Sequence, residues 1–134
     1  MTQDIRRRIA SCFVAIANEN SQIAAYYTLA AASAPISDLP EADTKRLPRY
    51  PTLPAVRIGR LAVDRRFQGQ GLGGALLADA AARSLQMPVA VFTLLVDAKN
   101  DQAVAFYQRF GFRALVSAPR TSFLPLATAE KAFL

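Results

Sequence analysis

The chain has no histidine and no tryptophan, a single cysteine and only ten acidic residues among 134. Each shortage removes a class of chemistry. Without histidine there is no Ser-His-Asp triad, no Cys-His pair and no HExxH zinc site. The acids are scattered, so no metal site built from carboxylates alone is expected. One thiol, Cys12, cannot cross-link the chain to itself and reads as a small buried hydrophobe. No apolar run approaches the roughly 20 residues that span a bilayer. The first residues show no apolar segment followed by a small-residue cleavage site. Neither membrane nor export is therefore expected, and the cytoplasm is the inferred location.

What is present points to one folded domain over residues 1–134. Apolar residues make up 52% of the chain, enough for a core. The net charge is +6, and most of the basic residues are arginine. That balance suits a polyanion or a phosphorylated ligand.

Periodicity gives the order of elements. Residues 5–9 read as the end of a helix, followed by strands at 12–17 and 22–31 that form an antiparallel hairpin across Asn18-Glu19-Asn20-Ser21. Residues 33–54 hold Pro35, Pro40, Pro48, Pro51 and Pro54 and read as a long surface connection with one helical turn near 41–46. A strand at 56–63 leads into a glycine loop and a helix at 72–86, with Leu72, Ala75, Leu76 and Ala80 on its apolar stripe. The β-branched and aromatic run at 89–96 suits an interior strand covered on both faces. Asn100 caps a short helix at 101–110, and Gly111 closes it. Strands at 112–116 and 121–126 and a last helical turn at 128–134 complete a mixed sheet covered by helices, an α+β fold.

The glycine loop, Phe67-Gln-Gly-Gln-Gly-Leu-Gly-Gly-Ala75, is the most informative stretch. Strand, tight turn and helix together make an anion site, because the first amides of a helix lack internal partners and glycine admits close approach. A Walker loop is excluded: Gly73-Gly74 is followed by Ala75-Leu76, not by lysine and a hydroxyl. The pattern from Gly69 to Gly74 does satisfy GxGxxG, and Asp97 follows at the end of the next strand. A dinucleotide fold nevertheless fits poorly. That fingerprint belongs on the first strand of its unit, and too little chain follows Asp97 to complete one.

The stretch Arg60-Leu-Ala-Val-Asp64-Arg-Arg-Phe-Gln68-Gly-Gln-Gly71-Leu-Gly73 resembles the acetyl-coenzyme A signature of the GNAT N-acetyltransferases on Gln68, Gly71 and Gly73, with Leu61, Val63 and Asp64 matching the strand end before it. Asn100-x-x-Ala103-x-x-Phe106-Tyr107-x-x-x-Gly111-Phe112 resembles the family's second marker, in the expected order. Arg-Arg-Arg-Ile-Ala near the start, Tyr26-Tyr27-Thr28-Leu29, Leu-Pro-Arg-Tyr-Pro at 47–51 and the run from Gly59 to Asp64 are similar to the acetyltransferase toxins of toxin–antitoxin pairs.

The resemblance implies a GNAT-like, mixed, mostly antiparallel sheet flanked by helices. It implies acetyl-coenzyme A as cofactor, the α-amine of an aminoacyl-tRNA as acceptor, a ribbon-helix-helix antitoxin as partner, and a homodimer. The family's leading strand and helices have only residues 4–11 as a counterpart here, so the fold is expected in an N-terminally shortened form.

On these residues, the cofactor's diphosphate is expected over the amides of Gly69, Gly71, Gly73 and Gly74, with Gln68 shaping the turn and Arg65 and Arg66 adding charge. By resemblance, Leu61 and Val63 border the pantetheine arm on one side and Asn100 on the other. Tyr107 is the candidate catalytic acid, protonating the leaving thiolate. No base is evident beyond Glu41, Asp43 or Asp97, which weakly favours an α-amine acceptor, since that group titrates near 7.7–8.0. Arg6, Arg7, Arg8, Lys45, Arg46 and Arg49, with Arg57 and Arg60, are candidates for an RNA-binding rim. An N-acetyltransferase for a small amine, peptide or protein terminus is the alternative. A catalytically silent domain that binds a protein or dimerises is the other.

Overall fold

The computed structural model describes residues 10–17, 21–45, 47 and 50–133; the helix end expected at 5–9 lies outside them. Strands β1 (Ser11–Ile16) and β2 (Ile23–Pro35) form the expected antiparallel hairpin. A short turn of 3-10 helix at Ile36–Asp38 and a four-residue helix α1 (Glu41–Thr44) follow. Then come β3 (Thr52–Val63), α2 (Leu72–Leu85), β4 (Thr93–Asp97), α3 (Asp101–Arg109), β5 (Arg113–Ala114), β6 (Thr121–Pro125) and α4 (Leu126–Phe133). The sheet order is β1-β2-β3-β4-β6-β5. Only β3 and β4 pair in parallel, joined by the crossover through α2; the other neighbours are antiparallel.

The proline-rich connection is shorter than its composition suggests. Strands β2 and β3 stay paired as far as Pro35 opposite Thr52, which takes up both ends of the stretch read as loop. Pro54 is tolerated because the β3–β4 ladder starts only at Ala55 opposite Thr93. A missing N–H ahead of that pair removes no bond from the ladder.

Two apolar layers cover the sheet, as the alternation of strand side chains requires. Tyr27, Leu29, Val56, Ile58, Leu94, Val96 and Leu124 face helices α2, α3 and α4. Leu53, Ala55, Leu95 and Phe123 face the opposite way, under Leu39 and Leu115. Strand β4 is accordingly sealed on both sides, from Thr93 to Val96. On α2 the stripe is Leu76, Leu77, Ala80, Ala81 and Ser84, with Ala75 exposed. The sheet thus meets the helix one residue further round than the sequence stripe proposed.

Candidate functional site

The site begins where two strands part. Tyr27 pairs with Leu61 and Leu29 with Ile58, so Gly59 and Arg60 together oppose the single residue Thr28. This is a β-bulge, which bends its strand and increases the local twist. Thr28 Oγ1 pins it by accepting the Arg60 backbone N–H at 3.0 Å. Glycine is needed at position 59, where a Cβ would stand 2.8 Å from that same oxygen. The parallel ladder of β3 with β4 ends at Ile58 and Val96, immediately before the bulge. Past that point β3 runs on to Val63 with no ladder to β4. A groove of about 1060 Å³ opens there, reaching from Ile58 and Val96 out to the glycine loop and the side of α3.

The loop is built by its own side chains. Asp64 Oδ1 accepts the Arg66 backbone N–H at 2.9 Å, starting a 3-10 turn at Arg65–Phe67. Gln68 Nε2 donates to the Val63 carbonyl at 3.2 Å and ties the loop to the strand end. Gly69 and Gly71 then take φ of +80° and +78°, the left-handed region that L-residues avoid. Nothing lies within 4 Å of where a Cβ would stand on either, so their requirement is backbone shape alone. Gly73 and Gly74 serve a different end. A Cβ on Gly73 would come 2.8 Å from Phe106 Cζ, and one on Gly74 2.9 Å from the Phe110 ring. These two glycines let α2 lie directly against α3. The first intrahelical bond of α2 runs from Ala75 N–H to the Gly71 carbonyl at 3.1 Å. The amides of Leu72, Gly73 and Gly74 therefore lack intrahelical partners, at the positive end of the helix dipole.

Helix α3 carries the other wall. Asn100 caps it, its side-chain oxygen accepting the Ala103 N–H at 2.8 Å. Gly111, at φ +96°, ends it as the sequence implied. Tyr107 is the one buried residue of this helix and lines the groove. Phe106 meets its ring edge-on at 5.2 Å and Phe112 packs at 5.5 Å. Its hydroxyl bonds to no other described residue, yet is not among the chain's sealed, unpartnered polar atoms. Burial pushes this phenol above its usual range, so it holds its proton. Tyr27 makes the contrast. Its hydroxyl donates to Asp79 beneath α2, and burial followed by that carboxylate drives its pKa far upward. One tyrosine is a structural clip, and the other keeps a spare hydroxyl in a cleft.

Leu61, Val63, Gln68, Gly69, Gly71, Gly73, Gly74, Asn100 and Tyr107 all line this groove. Arg65 and Arg66 do not; both are exposed beside it. Arg66 turns back onto Asp64, 3.0 Å from Oδ1, and onto Gln22. The Arg66 side chain, then its backbone N–H, holds the Asp64 carboxyl below its usual range. Lys45 is exposed and away from the groove. Arg6, Arg7, Arg8, Arg46 and Arg49 lie outside the described residues. Arg57 is held by Asp97, which also accepts from Thr121 at 2.7 Å, while Arg60 does line the groove. Cys12 is half-buried rather than sealed.

Lys99, Gln102 and Arg109 line the groove as well, though the sequence did not single them out. Arg109 had a signal, two residues past Tyr107 inside the second motif. Which side of the helix would meet the cleft was not readable before the packing of α2 on α3 was known.

The Acetyltransferase (GNAT) domain family matches residues 2–123. The chain is 32% identical over 125 residues to the probable toxin TacT of Sinorhizobium fredii, covering 87% of this chain and 69% of that protein. It is 37% identical over 103 residues to the tRNA-acetylating toxin of Mycobacterium tuberculosis, covering 75% of this chain but only 60% of that one. Among solved structures, AtaT complexed with acetyl-methionyl-tRNAfMet superposes with a TM-score of 0.85 at 33% identity, over 98% of this chain and 80% of AtaT. A mutant AtaT toxin bound to the C-terminus of the antitoxin AtaR and to acetyl-CoA gives a TM-score of 0.79 at 29% identity, over 99% and 78%. Splayed strands, a left-handed glycine loop and a tyrosine lining the cleft thus coincide with the family match, and the chain belongs to the GNAT acetyltransferases.

Proposed function

We propose that this protein is an acetyl-coenzyme A dependent N-acetyltransferase that acts as a toxin by acetylating the α-amine of aminoacyl-tRNA, and so blocks translation. The observation that carries the reading is the pairing, in one groove, of the glycine loop with the spare hydroxyl of Tyr107. The similar proteins supply the acceptor: one is a tRNA-acetylating toxin, and another has been seen with an acetylated methionyl-tRNA.

The residues present fit the cofactor. Left-handed Gly69 and Gly71 and the unpartnered amides of Leu72, Gly73 and Gly74 suit a diphosphate. The β3 edge at Leu61 and Val63 suits an amide-bearing arm, with Asn100 across the cleft. Bound acetyl-coenzyme A supplies an acetyl thioester. Tyr107 would hold a proton on its phenol oxygen at neutral pH and supply it to the sulfur as the acceptor nitrogen bonds to the acetyl carbon and the C–S bond breaks. The proton shed by that nitrogen passes to water, and the phenol regains one from solvent.

Among the described residues, no free base lines the groove. Asp97 is the one candidate carboxylate that lines it, and Arg57 and Thr121 already occupy its oxygens. Asp43 pairs with Arg113 outside the groove. An acceptor that is already partly neutral at physiological pH, as an α-amine near 7.7–8.0 is, matches this lack. A lysine near 10.4 does not. Arg60 and Lys99 line the groove and are exposed, so they offer charge to the phosphates of an approaching RNA end.

A ribbon-helix-helix antitoxin, a homodimer and a cytoplasmic location complete the proposal. Among the described residues, no helix is long and apolar enough to cross a membrane.

The test is transfer of radiolabelled acetyl from acetyl-coenzyme A to bulk aminoacyl-tRNA by the wild-type protein and Tyr107→Phe. Transfer that is lost in the variant supports the proposal. Label found only on added small amines or peptides would refute the acceptor. Tight cofactor binding with no transfer to any amine would refute the activity.

A further inference from the structure

Eight arginines fall within the described residues, and most of their charge is already committed. Arg57, Arg66, Arg83, Arg113 and Arg120 each pair with a carboxylate. Arg60, Arg65 and Arg109 have no carboxylate partner among the described residues. Arg65 stands outside the groove, whereas Arg60 and Arg109 line it. They lie at different ends. Arg60 sits on the bulge of β3, beside the strand split. Arg109 sits in the last turn of α3, with its guanidinium 5.9 Å from the centre of the Phe106 ring.

That ring fixes where Arg109 is. Phe106 rests on Gly73, in the first turn of α2, close enough that no Cβ fits between them. A positive charge held over Phe106 is therefore next to the amide end of α2 but carried by another helix. The two features differ in kind. The amides are fixed, neutral donors with a short reach, which suits a phosphate pressed against the backbone. The guanidinium is a permanently charged fork at the end of a long, exposed side chain, which suits a second anion further out. A coenzyme A molecule carries two such groups, a diphosphate in its chain and a separate monoester on the ribose 3′-oxygen.

We propose that Arg109 recognises the ribose 3′-phosphate of the coenzyme, separately from the diphosphate held by the glycine loop, and so lets the enzyme distinguish coenzyme A from its 3′-dephospho form. The inference rests on the acetyl-coenzyme A reading of the groove. No other described cation combines a place at this end of the groove with freedom from an acidic partner; Lys99 precedes the cap of α3, at the opposite end of that helix. The Phe106 face also steadies the guanidinium in the free protein, reducing what must be ordered on binding.

The experiment is titration calorimetry of the wild-type protein, Arg109→Gln and Arg109→Lys with acetyl-coenzyme A and with 3′-dephospho-acetyl-coenzyme A. Wild type is expected to favour the phosphorylated form about tenfold, the size of one exposed charge-assisted contact. Arg109→Gln should abolish that preference by weakening only acetyl-coenzyme A. Its affinity for the dephospho form should stay within about twofold of wild type. Arg109→Lys should keep part of the preference, since it keeps the charge and loses the fork. Equal weakening of both ligands in Arg109→Gln would overturn the assignment, because a supporting role or a diphosphate contact does not read the 3′ position. A wild type that binds both forms equally would overturn it too. A wild type that binds neither would instead overturn the acetyl-coenzyme A reading itself.

Discussion

Gly71→Ala offers a demanding test, because the structure leaves one mechanism available to it. The residue sits at φ +78° as the cap of α2, and no atom lies within 4 Å of where the new methyl would stand. The substitution therefore introduces no clash. Its cost is that of holding an L-residue in the left-handed region, about 1–2 kcal/mol. A stiffer unfolded chain offsets about 0.4–1 kcal/mol of this in the folding equilibrium. The remaining question is when the cost falls due. If the loop keeps its shape in the free protein, denaturant unfolding records a loss of up to about 1.5 kcal/mol, and acetyl-coenzyme A affinity is unchanged. If the free loop relaxes, stability is spared and the affinity falls about 5- to 30-fold, since binding must restore the shape. Measured together by urea melts and calorimetry, the two losses share one total. Gly71→Asn should lose less on both, because asparagine tolerates the left-handed region. Gly73→Ala works by another route: its methyl meets Phe106, so trimming that ring with Phe106→Leu should rescue Gly73→Ala and leave Gly71→Ala unrepaired. If Gly71→Asn loses as much as Gly71→Ala on both measures, or if the Phe106 change rescues Gly71→Ala, the account of the loop is wrong.

Four further outcomes follow from the same geometry. Tyr107→Phe should lower kcat by about a hundredfold or more while acetyl-coenzyme A affinity holds. Burial raises the pKa of this tyrosine, so its acid form persists to higher pH; wild-type kcat should stay on its plateau past the ordinary phenol value near 10, and an earlier alkaline fall in rate profiles would count against it. At Asp79, burial pushes the carboxyl up, but hydrogen bonds from Tyr27 and Arg83 outweigh it and hold the pKa below its usual value. A depressed carboxylate stabilises the fold above its unfolded pKa, near 3.9, and the contribution fades as pH falls through the lower folded value. Asp79→Asn should thus be less stable than wild type at pH 7 by less than about 1 kcal/mol, given a half-exposed pair, with the gap closing in acid melts. Asn100→Ala removes the cap of α3 and should cost about 1 kcal/mol, read as a Tm lower by about 4 °C.

Much of the fold was readable residue by residue, and the failures have local causes. The hairpin, the Asn100 cap and the left-handed Gly111 follow from patterns that act over a few residues. The interior strand read at 89–96 is found only from Thr93 to Asp97, because Val89 and Ala90 are exposed and pair with no strand, and an apolar run does not mark where pairing starts. The reach of β2 and β3 was missed because prolines read as breakers unless the pairing partner is known. Of the cofactor residues named from sequence, the glycines, Gln68, Leu61, Val63 and Asn100 converge on one groove, while Arg65 and Arg66 stay outside it. An arginine's destination depends on which carboxylate lies within reach, and Asp64 claims Arg66 before any ligand can.

By itself, the order of residues determined the element types, the two motifs and the family they mark, because glycine conformation, capping and hydrophobic period are local properties of the chain. Tertiary structure alone decided the rest. It set the bulge at Gly59 that parts β3 from β4, the split of the loop glycines between backbone shape and helix contact, and the spare hydroxyl on Tyr107 against the spent one on Tyr27. Each of those depends on what a distant segment places opposite, and spacing along the chain carries no record of that.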